Sequence, residues 1–400
     1  MKVEIKPCRA RGTVGAPPSK SFAHRQLICA ALAGGGSVNG VIDSGDMKAT
    51  LNCVEAAGTA VRRENNTVFI ENSPAEIAAG AVFDCLESGS TLRFFIPVVL
   101  AKGADVLFTG SSRLIERGAG AYERLLSEKG AEIRKTQDGI YVKGRLESGE
   151  YEIPGSESSQ YTSGLLFALP LLEGDSVLRV LPPVNSRPYI DITLEVLKSR
   201  GIEIFEKEEN TFYIKGGQTY RSVDSPVEGD WSNAAFLLAL NALGGDVTVT
   251  GLNENSAQGD RFCVEAFAML ENKSPVIDLS ACPDLAPVLF AVAAAKNGAV
   301  FTGTKRLKIK ESDRAEVMAE ELGKFGVKCE IYADSVKVGS GLKTPCAQLN
   351  GHNDHRVVMA LSVLATLTGG VIEGAQAVNK SYPAFFEDLK ALSAEVKIDA

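Results

Sequence analysis

Residues 88–110 read SGSTLRFFIPVVLAKGADVLFTG. A small polar opening at Ser88 is followed by an apolar run, a glycine at Gly103 and a second apolar segment at 106–110. Hydroxyl side chains favour the start of a helix, and glycine favours the left-handed residue after its last turn. Residues branched at the β-carbon, such as Val106, favour an extended strand. The stretch therefore predicts a buried helix, a tight turn and a strand in direct succession.

The same succession occurs six times along the chain, with a period of about 70 residues. The polar openings are Ser19-Lys20-Ser21, Ser88-Gly89-Ser90, Ser158-Ser159-Gln160, Trp231-Ser232-Asn233, Pro283-Asp284-Leu285 and Asp354-His355-Arg356. Most copies continue into a second helix that a glycine ends, another strand and a hairpin, whereas the fourth copy is shorter and lacks the hairpin. Six such units predict an α/β protein whose helices pack against sheets in two lobes of three units each.

The composition narrows the class of protein. Four hundred residues exceed what one hydrophobic core organises, which predicts two domains. A net charge of -8 argues against nucleic acid or an anionic membrane surface as the main partner, and no apolar run is long enough to predict a membrane span. The eight cysteines are scattered without a Cys-x-x-Cys pair, which favours free thiols in a reducing cytoplasm over a zinc site.

Two familiar nucleotide-binding motifs are not matched. Gly34-Gly35-Gly36 follows a predicted helix rather than a strand, so we interpret it as a turn and not as a dinucleotide-binding loop. Around Lys20-Ser21 the two glycines of a P-loop are replaced by Val14 and Ser19. Neither segment therefore predicts a nucleotide site.

Polar clusters stand directly before several of the long apolar helices. They occupy residues 20–25, 158–160, 310–314 and 353–356. Helix N-termini attract phosphate and carboxylate groups, because unpaired backbone N–H groups point outward there and the helix dipole is positive. The clusters are therefore typical of a site for anionic ligands.

Each cluster also has a purely structural interpretation. Asp284 and Asp354 stand where a lone aspartate usually caps a helix, and Asp313 with the glutamate three residues later fits a capping box. Lys310 and Arg314 are four residues apart, as they would be on a solvated face of ion pairs. Spacing alone leaves both interpretations open.

Taken in order, these segments resemble the 5-enolpyruvylshikimate-3-phosphate synthases, the 3-phosphoshikimate 1-carboxyvinyltransferases. The resemblance covers nearly the whole chain, and ten segments in the right order make it specific. The matching segments are Pro18-Ser19-Lys20-Ser21 with Arg25, Ser88-Gly89-Ser90-Thr91-Leu92-Arg93, residues 109–117, Ser158-Ser159-Gln160, residues 186–192, Glu228-Gly229-Asp230, Pro283-Asp284, Lys310-Glu311-Ser312-Asp313-Arg314, Asn353-Asp354-His355-Arg356 and Lys380-Ser381-Tyr382-Pro383.

The resemblance implies a fold and a division of the chain. Each of two lobes would hold three βαβαββ repeats around a pseudo-threefold axis, an arrangement described as an inside-out α/β barrel. One lobe would be discontinuous, with residues 1–13 plus 228–400, and the other would be 14–227. The active site would lie in the cleft between the lobes.

The resemblance also implies a reaction. The family transfers the enolpyruvyl group of phosphoenolpyruvate to the 5-hydroxyl of shikimate 3-phosphate and releases phosphate, by addition and elimination through a tetrahedral intermediate. The step belongs to chorismate and aromatic amino acid biosynthesis. It implies a cytoplasmic, monomeric transferase with these two small substrates, no cofactor, no metal, and neither nucleic acid nor membrane as partner.

The resemblance assigns site residues by position. It implies Asp284 as the base at the 5-hydroxyl, Glu311 as the acid at C3 of phosphoenolpyruvate, and Lys20 as a cation shared by both substrates. The phosphoenolpyruvate site would comprise Lys20, Gly89, Arg93, Arg117, Gln160, Arg314, His355, Arg356 and Lys380. The shikimate 3-phosphate site would comprise Lys20, Ser21, Arg25, Ser158, Ser159, Gln160, Ser186, Tyr189, Asp284, Arg306 and Lys310.

Three positions depart from the family pattern, and two alternatives remain. Glu87 stands where family members commonly carry asparagine, Arg306 stands where some relatives carry it, and Phe94 replaces a proline that is often found after the arginine of the Gly89 loop. The first alternative is the sister enolpyruvyl transferase that acts on UDP-N-acetylglucosamine. It has Lys-Asn in place of Lys20-Ser21 and commonly a reactive cysteine in the loop where residues 110–120 contain none. The second is a non-catalytic repeat scaffold, which retention of Asp284 and Glu311 disfavours.

Overall fold

The computed structural model describes residues 1–399. Its helices are α1 Lys20–Leu32, α2 Gly45–Ala56, α3 Gly89–Ala101, α4 Ser112–Arg117, α5 Ala121–Leu125, α6 Ser159–Ala168, α7 Arg187–Ser199, α8 Trp231–Ala242, α9 Cys263–Leu270, α10 Ala286–Ala295, α11 Arg314–Lys324, α12 His355–Thr368 and α13 Phe385–Ala391. Short 3-10 turns are Leu169–Leu171, Gly259–Phe262, Pro283–Leu285, Lys305–Ile309 and Ala375–Lys380.

The strands lie between the helices, singly or in runs of two or three. They are β1 Lys2–Ile5, β2 Arg11–Gly15, β3 Gly35–Asn39, β4 Ala60–Glu64, β5 Thr67–Glu71, β6 Ala81–Asp84, β7 Asp105–Thr109, β8 Glu132–Lys135, β9 Ile140–Lys143, β10 Glu150–Pro154, β11 Ser176–Leu181, β12 Ile204–Glu208, β13 Thr211–Ile214, β14 Ser225–Pro226, β15 Asp246–Thr250, β16 Val276–Asp278, β17 Ala299–Thr302, β18 Cys329–Ile331, β19 Ser335–Val338, β20 Leu349–Asn350, β21 Gly370–Glu373 and β22 Val396–Asp399. Residues 88–110 form the end of a loop, α3 and β7, so the helix–turn–strand succession is confirmed.

The chain folds into two compact units. One, which we name the split unit, consists of Met1–Ser19 and Gly229–Ala400; the other, the continuous unit, is Lys20–Glu228. In the predicted division, the chain passes from one lobe to the other after residue 13 and returns after residue 227. The structure instead keeps residues 14–19 in the split unit, because β2 pairs in parallel with β15 along its whole length, from Arg11 opposite Asp246 to Gly15 opposite Thr250.

The continuous unit contains three sheets of one design. Their strand orders are β14-β3-β5-β4, β6-β7-β9-β8 and β10-β11-β13-β12. In each sheet the first two strands are parallel, and an antiparallel hairpin completes the edge. In the second and third sheets the parallel pair is connected through a helix, α3 between β6 and β7 and α6 between β10 and β11, whereas β14 joins β3 from the end of the unit. The predicted α/β repeat is confirmed.

The split unit repeats the design with two changes. Its sheets are β16-β17-β19-β18, β20-β21-β1-β22 and a two-stranded pair, β15-β2. In the second of these the N-terminal strand β1 takes the inner hairpin position, antiparallel to both neighbours. In the third, α9 leads directly into β16 of the next sheet. The prediction that the fourth copy lacks its hairpin is confirmed within residues 1–399.

The central helices of each unit are buried on nearly all sides. Nine of the ten residues of α10, APVLFAVAAA, are buried, and eleven of the thirteen residues of α3 are buried. A helix that is apolar all round belongs in a core rather than on a surface. In the split unit α8, α10 and α12 pack on one another, and in the continuous unit α3 packs on α6. The polar N-termini of these helices are therefore fixed by a rigid interior.

Candidate active site

The central helices of the continuous unit begin with neutral groups. Ser88 caps α3 and Ser158 caps α6, and their hydroxyls accept from the backbone N–H groups of Thr91 at 3.2 Å and Gln160 at 3.3 Å. The first turns of α1, α3 and α6 contain no acidic residue. Because the positive end of the helix dipole is not neutralised there, these N-termini are open to an anion.

In the split unit, aspartates occupy the corresponding places. Asp230 caps α8 through the backbone N–H groups of its first turn, and Asp354 caps α12, with Oδ1 accepting from the N–H of Arg356 at 2.9 Å. Asp284 lies in the turn Pro283–Leu285 directly before α10, whose N-cap residue is Leu285. The predicted cap at Asp354 is therefore confirmed, and α8 and α12 have anionic caps where α3 and α6 have neutral ones.

Four of the predicted phosphoenolpyruvate residues meet at the start of α3. Arg93 Nη1 donates to Gln160 Oε1 at 2.7 Å, and Gln160 Nε2 donates to Ser90 Oγ at 2.9 Å. A methyl group built on Gly89 would lie 2.7 Å from Arg93 Nη1 and 3.3 Å from Arg117 Nη2. Both guanidinium groups thus lie against the glycine, where they add positive charge to a helix N-terminus.

Arg25 is buried, and among residues 1–399 no carboxylate pairs with it. Its Nε donates to Thr193 Oγ1 at 2.8 Å, its Nη1 to the carbonyl of Ser21 at 2.7 Å and its Nη2 to the carbonyl of Tyr189 at 2.9 Å. Burial lowers the pKa of Arg25 to about 9. Ser186, the N-cap residue of the neighbouring α7, is also buried. A buried cation held only by neutral groups is a strong site for an anion.

Lys20, the first residue of α1, forms an ion pair that the sequence analysis did not predict. Its Nζ lies 2.7 Å from Oδ2 of Asp46, which is in the first turn of α2. Both side chains are mostly buried, so the pair is held in one geometry. Asp46 therefore orients the ammonium group, and an arriving phosphate would compete for it.

Asp284 faces three cations. Its Oδ1 accepts from Lys310 Nζ at 3.0 Å and from Arg314 Nη1 at 2.8 Å, and its Oδ2 accepts from Arg356 Nη2 at 3.1 Å. The Asp284 side chain remains 18% exposed. The carboxylate is thus fixed by charge-assisted hydrogen bonds while part of it stays open to a ligand.

Arg314 forms ion pairs with three carboxylates. In addition to Asp284, its Nη2 contacts Glu311 Oε2 at 2.6 Å and its Nε contacts Asp354 Oδ2 at 2.9 Å. Burial would lower the pKa of Arg314, but the charges of these carboxylates raise it well above its ordinary value. Burial likewise favours a higher pKa for Asp354, and the Arg314 guanidinium reverses this and holds it below 3.8. The predicted base and the predicted acid therefore share one buried cation.

The other predicted residues of the split unit lie on adjacent elements. His355 is the buried first residue of α12, and Lys380 Nζ donates to the carbonyl of Asn353 at 2.7 Å, just before that helix. Burial and the neighbouring charge of Arg306 lower the pKa of Lys310. Arg306 is therefore close to the cations around Asp284, although it departs from the family pattern.

A family model described as EPSP synthase (3-phosphoshikimate 1-carboxyvinyltransferase) matches residues 5–389 of the chain. The chain belongs to this family. Its relatives include the 3-phosphoshikimate 1-carboxyvinyltransferases of Clostridium kluyveri and Clostridium acetobutylicum, each 37% identical, with 98% of this chain and 98% of each relative covered. These names agree with the main prediction and not with the UDP-N-acetylglucosamine alternative.

Solved structures of the EPSP synthase family show the same fold. Two structures of the enzyme from Acinetobacter baumannii superpose with a TM-score of 0.80 at 24% and 23% identity, and they cover 99% and 100% of this chain and all of theirs. The likeness supports the two-unit α/β fold. No helix within residues 1–399 is long and apolar enough to cross a membrane.

Glu321 is a buried carboxylate of this family member that no sequence signal indicated. It accepts from Lys324 Nζ at 2.7 Å and from the backbone N–H of Asn350 at 3.0 Å, and its Oε1 lies 2.8 Å from His352 Nε2. Burial favours a higher pKa for Glu321, but the hydrogen bonds from His352 and Lys324 lower it below 4.5. Glu320, Glu321 and His352 are close enough to hold a metal, but Glu321 already anchors the loop before α12.

His24 predicts a pH dependence of stability. Burial, followed by the charges of Lys20 and Arg25, holds the pKa of His24 well below 6.5. The unfolded chain therefore takes up a proton below about pH 6.5 that the folded chain excludes, and stability falls as the pH drops further. The slope is at most ~1.4 kcal/mol per pH unit. We expect His24→Gln to remove this slope, measured by urea unfolding followed by circular dichroism between pH 7 and 5. Equal slopes in the two proteins would contradict a neutral, buried His24.

Proposed function

We propose that this chain transfers the enolpyruvyl group of phosphoenolpyruvate to the 5-hydroxyl of shikimate 3-phosphate and releases phosphate. The observation that carries the proposal is the Asp284 carboxylate, partly open and held by Lys310, Arg314 and Arg356. The family and the names of its Clostridium members support the same reaction. A site that fixes one carboxylate among cations suits proton transfer next to anionic substrates.

We propose that two carboxylates divide the proton transfers. Asp284 accepts the proton of the 5-hydroxyl while that oxygen forms a bond to C2 of phosphoenolpyruvate, and Glu311 gives a proton to C3. In the second step the C2–O bond to phosphate breaks, phosphate leaves with the bonding electrons and takes up the proton held by Asp284, and C3 returns one proton to Glu311. Arg314 contacts both carboxylates, at 2.8 Å and 2.6 Å, which supports their joint action.

Phosphoenolpyruvate binding is assigned to the cations near two helix starts. In this proposal Gly89, Arg93, Arg117 and Gln160 of the continuous unit bind its anionic groups together with Lys20. The split unit would contribute Arg314, His355, Arg356 and Lys380. The contact of Arg93 and Arg117 with Gly89 supports the first group, because two guanidinium groups at an open helix N-terminus favour a dianion.

Shikimate 3-phosphate binding is assigned to the buried Arg25 and its surroundings. Ser21, Ser158, Ser159, Ser186 and Tyr189 would supply neutral contacts, and Lys20, Gln160, Asp284, Arg306 and Lys310 would complete the set. Arg25 supports this assignment because its partners are hydroxyl and carbonyl groups, so a phosphate would be its first full countercharge.

The function is tested by phosphate release from phosphoenolpyruvate. Release is expected only when shikimate 3-phosphate is also present, and UDP-N-acetylglucosamine in its place should give none. The product should carry the enolpyruvyl group on the 5-oxygen by mass and NMR spectra. Two results would overturn the proposal. One is phosphate release with UDP-N-acetylglucosamine but not with shikimate 3-phosphate as the acceptor, and the other is no release with either acceptor from a folded protein.

The Gly89→Ala variant should weaken phosphoenolpyruvate binding. Its methyl group would lie 2.7 Å from Arg93 Nη1, closer than carbon and nitrogen tolerate, so at least one guanidinium must move. A displaced guanidinium weakens a charge-assisted hydrogen bond to the substrate, which corresponds to a rise in KM for phosphoenolpyruvate of roughly 10-fold to 100-fold. KM for shikimate 3-phosphate should stay within about threefold.

Gly323→Ala is the matched control, because a methyl group there meets no atom within 4 Å. It should leave both KM values unchanged. If Gly89→Ala behaved like this control, the phosphate or carboxylate of phosphoenolpyruvate would not bind at the start of α3.

We also propose that the enzyme is a cytoplasmic monomer. All eight cysteines are free thiols, and five of them are buried, which suits a reducing compartment. Sedimentation equilibrium with and without substrates tests the monomer. A stable dimer at working concentration would contradict it.

A further inference from the structure

A buried chain of hydrogen bonds links three helices of the continuous unit. His24 Nδ1 on α1 lies 2.6 Å from Thr50 Oγ1 on α2, which lies 2.8 Å from Thr91 Oγ1 on α3. Thr91 Oγ1 in turn donates to Ser88 Oγ, the cap of α3, at 2.8 Å. All four side chains are at most 2% exposed. Water therefore does not compete for these bonds.

This chain of hydrogen bonds permits only one arrangement of donors and acceptors. Each hydroxyl has a single hydrogen, and Thr91 gives its hydrogen to Ser88. Thr91 must therefore accept from Thr50, and Thr50 must accept from His24. His24 is consequently the neutral tautomer with the hydrogen on Nδ1, and its Nε2 has no hydrogen-bond partner among residues 1–399. A chain with a fixed direction tolerates few alternative side-chain rotamers.

The two ends of the chain lie at different groups of the predicted substrate residues. His24 is next to Arg25 on α1 and one turn beyond Lys20. Ser88 directly precedes Gly89, against which Arg93 lies. The chain thus connects the helix assigned to shikimate 3-phosphate with the helix N-terminus assigned to phosphoenolpyruvate.

We propose that His24, Thr50, Thr91 and Ser88 are positioning residues that hold the start of α3 in register with α1, so that phosphoenolpyruvate meets a preformed site. The inference rests on the proposed function and adds residues that touch neither substrate. Loss of one hydroxyl in the middle leaves a buried donor or acceptor unsatisfied, which allows the α3 cap to shift. The effect should fall on phosphoenolpyruvate, because the cap Ser88 is adjacent to Gly89.

Thr50→Val tests the chain with almost no change in shape. It should raise KM for phosphoenolpyruvate roughly 10-fold, while kcat and KM for shikimate 3-phosphate change by less than about threefold. Thr50→Ser restores the hydroxyl and should return KM to within about twofold of the wild type. Thr366→Val is the control: this buried threonine of the split unit donates within its own helix, to the carbonyl of Val363 at 2.7 Å, and should leave all constants unchanged.

A spectroscopic measurement tests the chain independently of activity. The protein has three histidines, so the ¹⁵N spectrum of His24 can be assigned by its loss in His24→Gln. The wild type should show Nδ1 protonated and Nε2 unprotonated, and Thr50→Val should shift the Nδ1 signal. The opposite tautomer in the wild type would overturn the proposal, even if Thr50→Val did not fold.

The two proposals fail in distinguishable ways. Absence of phosphate release by the wild type, with the expected His24 tautomer, would overturn the function and with it the positioning role. Normal release by the wild type, with KM for phosphoenolpyruvate unchanged in a folded Thr50→Val protein, would overturn the positioning role alone.

Discussion

The Asp284→Asn variant is expected to lose about 10³-fold in kcat, within the range for a general base. Asparagine keeps the shape of the side chain but cannot accept the proton of the 5-hydroxyl. The amide also leaves the charges of Lys310, Arg314 and Arg356 without the carboxylate that now faces all three. Phosphate release gives kcat, and calorimetric titration shows whether shikimate 3-phosphate still binds.

A matched aspartate separates this effect from a general loss of charge. Asp278, in the same unit, accepts from the backbone N–H and hydroxyl of Ser280 and is exposed. Asp278→Asn should keep kcat within about twofold, since surface substitutions have small effects. If Asp284→Asn retained more than a tenth of the wild-type kcat, Asp284 would not be the base.

The Arg314→Met variant is expected to lose about 3–5 kcal/mol of stability. Arg314 is 1% exposed, and its partner Asp354 is fully buried. Removal of the guanidinium leaves that carboxylate as a buried charge without its main cation, which is the costly half of a broken ion pair. The single tryptophan, Trp231, lies in the same unit, so urea unfolding followed by its fluorescence reports on the relevant core.

A double-mutant cycle with Asp354→Asn checks the cause. Asparagine caps a helix about as well as aspartate, so this change removes the charge and leaves the cap of α12 in place. The double variant should be more stable than the sum of the two single effects predicts, by at least about 1 kcal/mol. Strict additivity would show that Arg314 stabilises the unit through packing rather than through Asp354.

The repeat and its helices were predictable because their signals are local. An apolar run without a polar stripe identifies a buried helix, and the glycine after it identifies where the helix ends. Residues 88–110 contain both signals, and the structure shows the corresponding α3 and β7. The missing hairpin of the fourth copy was predictable for the same reason, since a hairpin needs two strand patterns within a short span.

The partners of the charged residues were not predictable from spacing. Lys20 and Asp46 are 26 residues apart, and Arg314 and Asp354 are 40 apart, so only the packing of helices brings each pair together. Asp354 shows the limit most clearly. The interpretation as a helix cap is confirmed, yet the same carboxylate also binds Arg314, which no local pattern indicates.

The lobe boundary was missed by several residues for a related reason. β2 has the polar sequence RGTVG with one buried residue, so it does not look like part of a core. Its place depends on β15, which follows more than 200 residues later. Glu87 is one of the positions that depart from the family pattern. Its side chain is exposed to solvent.

The bridge between Pro18 and Gly229 holds together the two points at which the continuous unit is connected to the rest of the chain. The backbone N–H of Asp230 also donates to the carbonyl of Pro17 at 2.7 Å, so the chain leaves and re-enters the split unit at one place. Lys20–Glu228 is in effect an insertion whose excision needs only a short turn from Ser19 to Gly229, because closing so small a gap costs little entropy. Each unit can then be encoded as a separate polypeptide, one rich in open helix ends for anions and the other in paired carboxylates, and circular dichroism of each would show whether it folds without the other.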